Sequence, residues 1–278
     1  MKFVFFGTPE FAAIILEKLI KAELMPEAVI CNPDKPTGRK QIITPPLVKV
    51  LAQKYGLTVY QPKDKTELLE IVKNLQPDLA VTAAFGMIFP KEILEIPKYG
   101  FINVHPSLLP KYRGPTPIQT AILNGDKETG VSLFLIDEEM DHGPILAKRE
   151  LEFPISNFQF PILSQKLAEL GADLLIETLP KYINGEIKPQ AQDESQATYT
   201  KKFSTQDAYI EPKDLEKAQN EGREIAVEID RKIRALNPEP GTWTILNGKR
   251  TKLLEAKIID EKLKITKIQV EGGKPKEI

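Results

Sequence analysis

Residues 2–19 read KFVFFGTPEFAAIILEKL, and this stretch decides the fold. Lys2 to Phe6 is a short apolar run typical of a buried strand, and Gly7 predicts a turn after it. Thr8 is a suitable N-cap for a helix with Pro9 at its first position, and apolar residues then recur at helical spacing. A strand, a glycine turn and a helix in this order predict the opening of a parallel α/β sheet.

The same alternation continues along the chain. Apolar strands are predicted at 27–31, 58–60, 79–83 and 131–136, and helices at 46–55, 65–74, 117–124 and 162–183. This order predicts an α/β, Rossmann-like fold, which is a mostly parallel sheet with helices on both faces. The motif G-x-G-x-x-G is absent, so no dinucleotide site is predicted. Ligands are expected at the carboxyl ends of the strands.

A second, smaller domain is predicted after the long helix. The polar and irregular stretch 189–212 indicates a linker between a first domain at 1–188 and a second at 213–278. Within the second domain, a helix is predicted at 213–235 and strands at 242–246, 250–258 and 263–270. The dipeptide Asn247-Gly248 between two of these strands is a strong signal for a type I′ hairpin.

Composition limits the class of protein. The chain has 278 residues, 41% of them apolar and 28% charged, which is enough for a sizeable core. Its longest apolar runs fall well short of the roughly 20 residues that cross a bilayer, so no membrane segment and no secretory leader are expected. Cys31 is the only cysteine, which excludes an internal disulfide and a cysteine-built zinc site. A cytoplasmic location is the default expectation.

The charge is distributed unevenly. The net charge is −1, yet residues 231–278 hold 12 Lys and Arg against 6 Asp and Glu, whereas residues 1–230 hold 26 against 33. A basic tail of this kind indicates contact with a polyanion. A solvated lysine-rich surface accounts for the same numbers, and charge alone leaves both interpretations open.

The candidate active site lies in residues 101–119, FINVHPSLLPKYRGPTPIQ. Asn103 and His105 occupy alternate positions of an apolar run, so in a strand they share one face. An amide and an imidazole that can be protonated near neutral pH could both donate to an oxygen that becomes negative during acyl transfer. Asp141 is the candidate carboxylate partner of His105, and His142, the second of two histidines, is not assigned a catalytic role. A hydrogen-bonded structural histidine is the simpler alternative for His105.

Nine ordered motifs give the chain a resemblance to a known family. They are FFGTPEFA at 5–12, PDKPTGR at 33–39, TPPLVKVLA at 44–52, VYQP at 59–62, PDLAVTAAFGMIFP at 77–90, INVHPSLLPKYRGPTPIQ at 102–119, MDHGPIL at 140–146, ATYTKK at 197–202 and IRALNPEPG at 233–241. Over nearly its full length the chain resembles the methionyl-tRNA formyltransferases of the folate-dependent formyltransferase superfamily.

The resemblance implies transfer of a formyl group from 10-formyltetrahydrofolate to the amino group of methionyl initiator tRNA, a step in translation initiation. It places the catalytic residues at Asn103, His105 and Asp141, and it implies no metal. It places the folate site at Ser107, Leu108, Leu109 and Pro110, with Phe85, Gly86, Met87 and Ile88 lining the pterin pocket.

The resemblance also implies two surfaces for tRNA. The basic loop carrying Lys35, Arg39 and Lys40 corresponds to the family's loop that enters the acceptor stem. The second domain corresponds to a small OB-like β-barrel that follows the tRNA backbone. Only three strands are predicted where five are expected, so this barrel is predicted to be abbreviated. The protein is expected to act as a monomer.

Three other functions remain to be distinguished. A glycinamide ribonucleotide formyltransferase would share the three catalytic residues but ordinarily lacks a basic second domain. A sugar-nucleotide formyltransferase would also share them, and the motifs at 33–39 and 233–241 argue against it. A tRNA or folate binding module without chemistry is disfavoured by the intact set Asn103, His105 and Asp141.

Overall fold

The computed structural model describes residues 1–38, 41–151 and 158–278, which form two compact units. Unit 1 consists of Met1–Arg113, Gly130–Leu151 and Ser164–Tyr199. Unit 2 consists of Gly114–Thr129, the described part of Glu152–Leu163, and Thr200–Ile278. The domain boundaries at 188 and 212 stay a prediction; these compact units divide the chain differently, because the segment after Arg113 groups with the carboxyl-terminal residues.

The described residues that precede the long helix contain nine strands. They are β1 (Phe3–Gly7), β2 (Ala28–Ile30), β3 (Lys35–Thr37), β4 (Ile42–Thr44), β5 (Thr58–Tyr60), β6 (Leu79–Ala83), β7 (Phe101–His105), β8 (Thr129–Leu135) and β9 (Ile145–Leu151). Seven of them form one sheet in the order β5-β2-β1-β6-β7-β8-β9. The pairs β1-β2, β2-β5, β1-β6 and β6-β7 are parallel, and β7-β8 is antiparallel. The predicted mostly parallel sheet is therefore confirmed.

Helices join these strands. They are α1 (Glu10–Lys21), α2 (Leu47–Lys54), α3 (Lys65–Leu75), α4 (Lys91–Leu94), α5 (Pro117–Asn124) and α6 (Phe160–Ile183). Val4 and Phe6 of β1 join residues of α3 and α4 in one hydrophobic cluster. Phe3 and Phe5 are also buried and point to the opposite face, because successive side chains of a strand alternate. Both faces of the sheet are thus covered. No helix within the described residues is long and apolar enough to span a membrane.

Two local predictions for this region were wrong, and one strand was not predicted. Thr8 is not the N-cap of α1, since Pro9 holds that position and the Thr8 hydroxyl accepts a hydrogen bond from the Asn32 backbone N–H at 3.2 Å. The loop after β2 contains the exposed hairpin of β3 and β4. Strand β9 was missed because it is the edge strand of the sheet: of its residues only Leu146 is buried, and the charged residues at 148–150 interrupt the apolar run.

Unit 2 contains a small antiparallel sheet packed on two helices. Its elements are α7 (Pro212–Asn220), α8 (Arg223–Leu236), β10 (Trp243–Leu246), β11 (Lys249–Ile259), β12 (Lys262–Val270) and β13 (Lys276–Glu277). The strands follow the order β10-β11-β12-β13. The predicted type I′ turn is confirmed by the positive φ angles of Asn247 (49°) and Gly248 (72°). The predicted single helix at 213–235 is two helices, separated at Glu221 and Gly222.

Helix α6 approaches the sheet closely at Gly171. A Cβ atom at this position would lie 2.6 Å from Cγ1 of Val104 and 3.2 Å from Cγ1 of Val131. Both valines are buried and β-branched, so they have little freedom to move. Gly171 therefore sets the distance between α6 and strand β7, which carries His105.

We expect Gly171→Ala to destabilise the protein by roughly 1–2 kcal/mol, although the same change in an open helix stabilises by roughly 0.5–1 kcal/mol. The physical reason is the overlap of the new methyl group with Val104. Urea unfolding of Gly171→Ala, Val104→Ala and the double variant measures the coupling between the two sites. Strictly additive effects, or a stabilised Gly171→Ala variant, would contradict the close approach.

Candidate active site

Strand β7 places Asn103 and His105 side by side near its carboxyl end. They are alternate residues of one strand, and their Cα partners on β8 are Phe134 and Ser132. His105 is 4% exposed, and Asn103 is half-buried. Within the part of the chain that the structure describes, the Asn103 amide has no hydrogen-bond partner. This amide is therefore available as a donor to a ligand.

The His105 ring is held by a backbone carbonyl. Its Nε2 lies 3.0 Å from the Tyr112 carbonyl oxygen, which can only accept, so Nε2 carries the proton and donates. This bond selects the tautomer in which Nδ1 gains or loses the second proton. Sequence reasoning missed Tyr112, because a carbonyl group has no signal in the residue type.

Asp141 faces the other nitrogen of the ring. Its Oδ2 lies 3.6 Å from His105 Nδ1, which is too long for a direct hydrogen bond and within reach of an ion pair. The two side chains are 17% and 5% exposed, so water screens their interaction only weakly. The structure thus brings together the three side chains that the sequence singled out, Asn103 and His105 on β7 and Asp141 opposite.

The turn that carries Asp141 is shaped by a close backbone approach. Asp141 has a φ of 50°, a left-handed conformation that only a minority of non-glycine residues adopt. Two residues later, a Cβ atom on Gly143 would lie 1.8 Å from the Leu135 carbonyl oxygen, so no other residue fits there. Gly143 therefore allows the backbone of the turn to lie in close contact with the end of β8.

His142 belongs to a different cluster from His105. Its Nδ1 donates to Asp137 Oδ2 at 2.6 Å, and its Nε2 lies 3.5 Å from Glu194 Oε1. The hydrogen bond with Asp137 is the main cause of a raised pKa of His142, which burial opposes. The ring is about one third exposed. Within the described residues, the ion pairs of His142 are with Asp137 and Glu194, and its exclusion from the catalytic set stays a prediction.

The predicted folate segment is a tightly bonded loop. The Leu109 N–H donates to the Ser132 hydroxyl at 2.9 Å, and this hydroxyl donates to the Ser107 carbonyl at 2.8 Å. The Ser107 hydroxyl donates to the Lys111 carbonyl at 2.6 Å, and the Pro110 carbonyl accepts from the Thr198 N–H. Ser107 and Leu109 are buried, whereas Leu108 and Pro110 are partly exposed. The loop is therefore fixed, and any folate contact by it stays a prediction.

The second predicted folate segment splits between the core and the surface. The Phe85 side chain is 3% exposed and packs in a cluster of aromatic rings with Phe6 and Phe89. Met87 is partly buried against the same cluster, whereas Gly86 and Ile88 are exposed, Ile88 by 69%. Gly86 has a φ of 82°, which favours glycine. The pterin-pocket role stays a prediction, and the exposed members are the ones able to contact a ligand.

The residues predicted to contact tRNA are only partly described. Lys35 lies exposed in β3. Arg39 and Lys40 lie outside the described residues. Across residues 1–38, 41–151 and 158–278, no group of three or more His, Cys, Asp or Glu side chains is placed to hold a metal ion.

Comparison with known proteins gives the relatives of this chain. A family model described as "Formyl transferase" matches residues 1–179, and one described as "Formyl transferase, C-terminal domain" matches residues 223–277. The methionyl-tRNA formyltransferase of Kosmotoga olearia is 46% identical over 268 residues, which cover 94% of this chain and 81% of that protein.

Solved structures share the fold at lower identity. A methionyl-tRNA formyltransferase from Clostridium thermocellum has a TM-score of 0.64 at 20% identity, covering 98% of this chain and 100% of that one. WlaRD, a sugar 3N-formyltransferase solved in the presence of dTDP and 5-N-formyl-THF, has a TM-score of 0.65 at 22% identity, covering 94% and 87%.

The His142–Asp137 pair predicts a pH dependence of stability. Because the pKa of His142 in the folded protein is raised, the pair stabilises the fold fully below the unfolded value of 6.5, and this contribution is lost as pH rises through the raised pKa. The variant Asp137→Asn keeps an acceptor for the Glu139 N–H and removes the charge. We expect its deficit in free energy of unfolding to be largest near about pH 6 and to disappear at alkaline pH. A deficit that is the same across this range in urea unfolding would contradict the assignment.

Proposed function

The chain belongs to the methionyl-tRNA formyltransferase family, and from this membership we propose that it transfers the formyl group of 10-formyltetrahydrofolate to the amino group of methionyl initiator tRNA. The observation that carries the proposal is the convergence of Asn103, His105 and Asp141 in a chain that is 46% identical to a methionyl-tRNA formyltransferase. The reaction would serve translation initiation in the cytoplasm, with the protein acting as a monomer.

Asn103 and His105 are proposed to stabilise the oxyanion. When the folate is bound, it supplies an activated formyl group, whose carbonyl oxygen becomes negative as the amine attacks. The Asn103 amide is a neutral donor without a partner among the described residues. His105 Nε2 is already engaged by Tyr112, so Nδ1 is the nitrogen that gains a proton and donates to this oxygen. Two donors on one rigid strand need little rearrangement at the moment of reaction.

Asp141 is proposed to balance the charge of His105 and to accept the amine proton. Its carboxylate lies 3.6 Å from His105 Nδ1, close enough to balance a positive charge on the ring while the ring donates to the oxyanion. The 3.6 Å separation also leaves Nδ1–H free to point between the carboxylate and the oxyanion. The attacking amine would lose a proton to Asp141, the nearest described carboxylate to the ring, as the new carbon–nitrogen bond forms. The bond between the formyl carbon and N10 of the folate would then break, and tetrahydrofolate would leave with that proton on N10.

The folate segments support a formyl-folate as donor. The loop from Ser107 to Pro110 begins directly after β7, at the carboxyl end of the strand where open α/β sheets bind ligands. The structurally similar WlaRD was solved with 5-N-formyl-THF. We propose that this loop and the exposed residues Gly86 and Ile88 contact the folate, without a metal ion.

The basic face of unit 2 supports tRNA as the acceptor. Lys257 of β11 and Lys264 of β12 are exposed and directly opposite each other, an arrangement of like charges that disfavours the sheet. A polyanion that binds across both lysines would relieve this repulsion and release counterions. This face is proposed to bind the tRNA backbone, and Lys35, Arg39 and Lys40 are proposed as separate contacts with the tRNA.

The deciding experiment measures transfer of radiolabelled formyl from 10-formyltetrahydrofolate to Met-tRNA, to glycinamide ribonucleotide and to an amino-sugar nucleotide, in three parallel reactions. Met-tRNA alone is expected to be labelled. Labelling of glycinamide ribonucleotide or of an amino-sugar nucleotide instead would show that this molecule, and not the tRNA, is the acceptor. The amino-sugar nucleotide is the second candidate because WlaRD is a sugar 3N-formyltransferase of the same fold. Absence of transfer to all three would refute the enzymatic proposal.

We expect His105→Ala to lower kcat/KM by a factor of about 100 to 10,000, because it removes a hydrogen-bond donor to the formyl oxygen on which negative charge develops. His142→Gln is the matched control, since it changes the only other histidine and leaves the set unaltered. Both variants are expected to bind tRNA as the wild type does. Activity retained in His105→Ala, or lost equally in His142→Gln, would show that His105 has another role.

The double variant Lys257→Ala, Lys264→Ala is expected to weaken tRNA binding and to flatten the slope of log affinity against log salt by about 1 to 2. The control is Lys65→Ala, Lys73→Ala, which removes two exposed lysines from α3 of unit 1. Binding of fluorescent initiator tRNA between low and moderate salt gives both slopes. Equal slopes for the two double variants would exclude the β11–β12 face as the phosphate contact.

A further inference from the structure

Arg113 is a fully buried arginine with a complete set of acceptors. Its guanidinium donates to Gln192 Oε1 from Nε and Nη2, at 3.1 and 2.8 Å. It also donates to both carboxylate oxygens of Glu194, at 2.9 and 2.6 Å, and to the Tyr199 hydroxyl at 3.2 Å. A buried charge is costly unless its partners are well placed. Arg113 therefore fixes the side chains around it, and all of them lie in the stretch predicted to be a linker.

Gln192 connects Arg113 by hydrogen bonds to the turn that carries Asp141. Since its Oε1 faces the Arg113 donors, its Nε2 faces the other way, and it donates to the carbonyls of Asp141 and Gly143, both at 2.8 Å. An amide is normally ambiguous in orientation, but here only one orientation pairs donors with acceptors on both sides. Gln192 thus clamps the backbone on both sides of His142.

The same stretch also holds the partner of His105. The Tyr112 N–H donates to the Thr198 hydroxyl at 2.8 Å, and the Arg113 N–H donates to the Thr198 carbonyl at 2.8 Å. Tyr112 has a φ of 63°, and its carbonyl accepts from His105 Nε2. Residues 192–198 are therefore bonded to Tyr112 on the side of His105 Nε2 and to Asp141 on the side of His105 Nδ1.

We propose that Gln192, oriented by Arg113, is a positioning residue that sets the Asp141 carboxylate against His105 during formyl transfer, a role that rests on the proposed function. Asp141 and Tyr112 both adopt left-handed backbone conformations that need support from their surroundings. Gln192 donates one hydrogen bond to the Asp141 carbonyl and one to the Gly143 carbonyl in the same turn, and the Thr198 hydroxyl accepts one from the Tyr112 N–H. Loss of the two Gln192 donors lets the Asp141 turn relax and changes the 3.6 Å separation on which charge balance depends.

The test uses Gln192→Met. Methionine has a side chain of similar length and no charge, and it lacks the N–H groups that donate to the Asp141 and Gly143 carbonyls. Gln196→Met is the matched control, because Gln196 is exposed in the same stretch and, among the described residues, its side chain donates only to its neighbour Ser195. We expect kcat of Gln192→Met to fall about 10- to 100-fold, with KM for both substrates within about twofold of wild type. Gln196→Met is expected to match the wild type.

A second variant separates positioning from folding. Gln192→Glu keeps acceptor oxygens for Arg113 and loses the donors, so the same fall in kcat is expected at an unfolding midpoint close to that of the wild type. Unchanged kcat in either variant, or a fall that follows the loss of folded protein, overturns the proposal.

Magnetic resonance gives a readout that does not depend on the acceptor. In a His142→Gln background, His105 is the only histidine, and the ¹H–¹⁵N signals of its ring report its surroundings. We expect these signals to shift in Gln192→Met and to stay in place in Gln196→Met. If the wild type formylates none of the acceptors, the proposed function fails, and the ring signals still show whether Gln192 affects the surroundings of His105. Signals that Gln192→Met leaves unchanged would refute the positioning role.

Discussion

The hydrogen bond from His105 Nε2 to the Tyr112 carbonyl is the constraint on which the site depends. It fixes the ring, assigns its tautomer and leaves Nδ1 toward Asp141, 3.6 Å away. Without this bond either ring nitrogen could carry the proton of the neutral imidazole, and Nδ1 would have no assigned role. Asn103, two residues earlier on the same strand, then adds a second donor whose position relative to His105 is set by the backbone alone.

The position of the Tyr112 carbonyl depends in turn on groups far along the chain. The loop after β7 is bonded to β8 through the Ser132 hydroxyl and to the 190–199 stretch through Thr198. Strand β7 itself is set against helix α6 at Gly171, where a side chain would overlap Val104. Rigid backbone contacts thus define the geometry of a site whose chemistry belongs to three side chains.

Much of the fold was predictable because the signals are local. The strand at 79–83 and the helix at 117–124 coincide with the predicted bounds, since apolar runs and a proline at the first helical position specify them. The strands β3, β4 and β9 were missed, because exposed or edge strands lack the apolar run of a buried one. Thr8 failed as a cap since a tertiary bond to Asn32 engages its hydroxyl.

The sequence by itself determined which chemical groups are present and that Asn103 and His105 share a face, because alternation in a strand is a property of the backbone. It also indicated Asp141 as a partner. Only the tertiary structure decided that Tyr112 holds the ring by a carbonyl and that Gln192 binds the Asp141 turn from 51 residues away. The physical reason is that carbonyl groups are common to all residues, so which one accepts a bond depends on how distant segments pack.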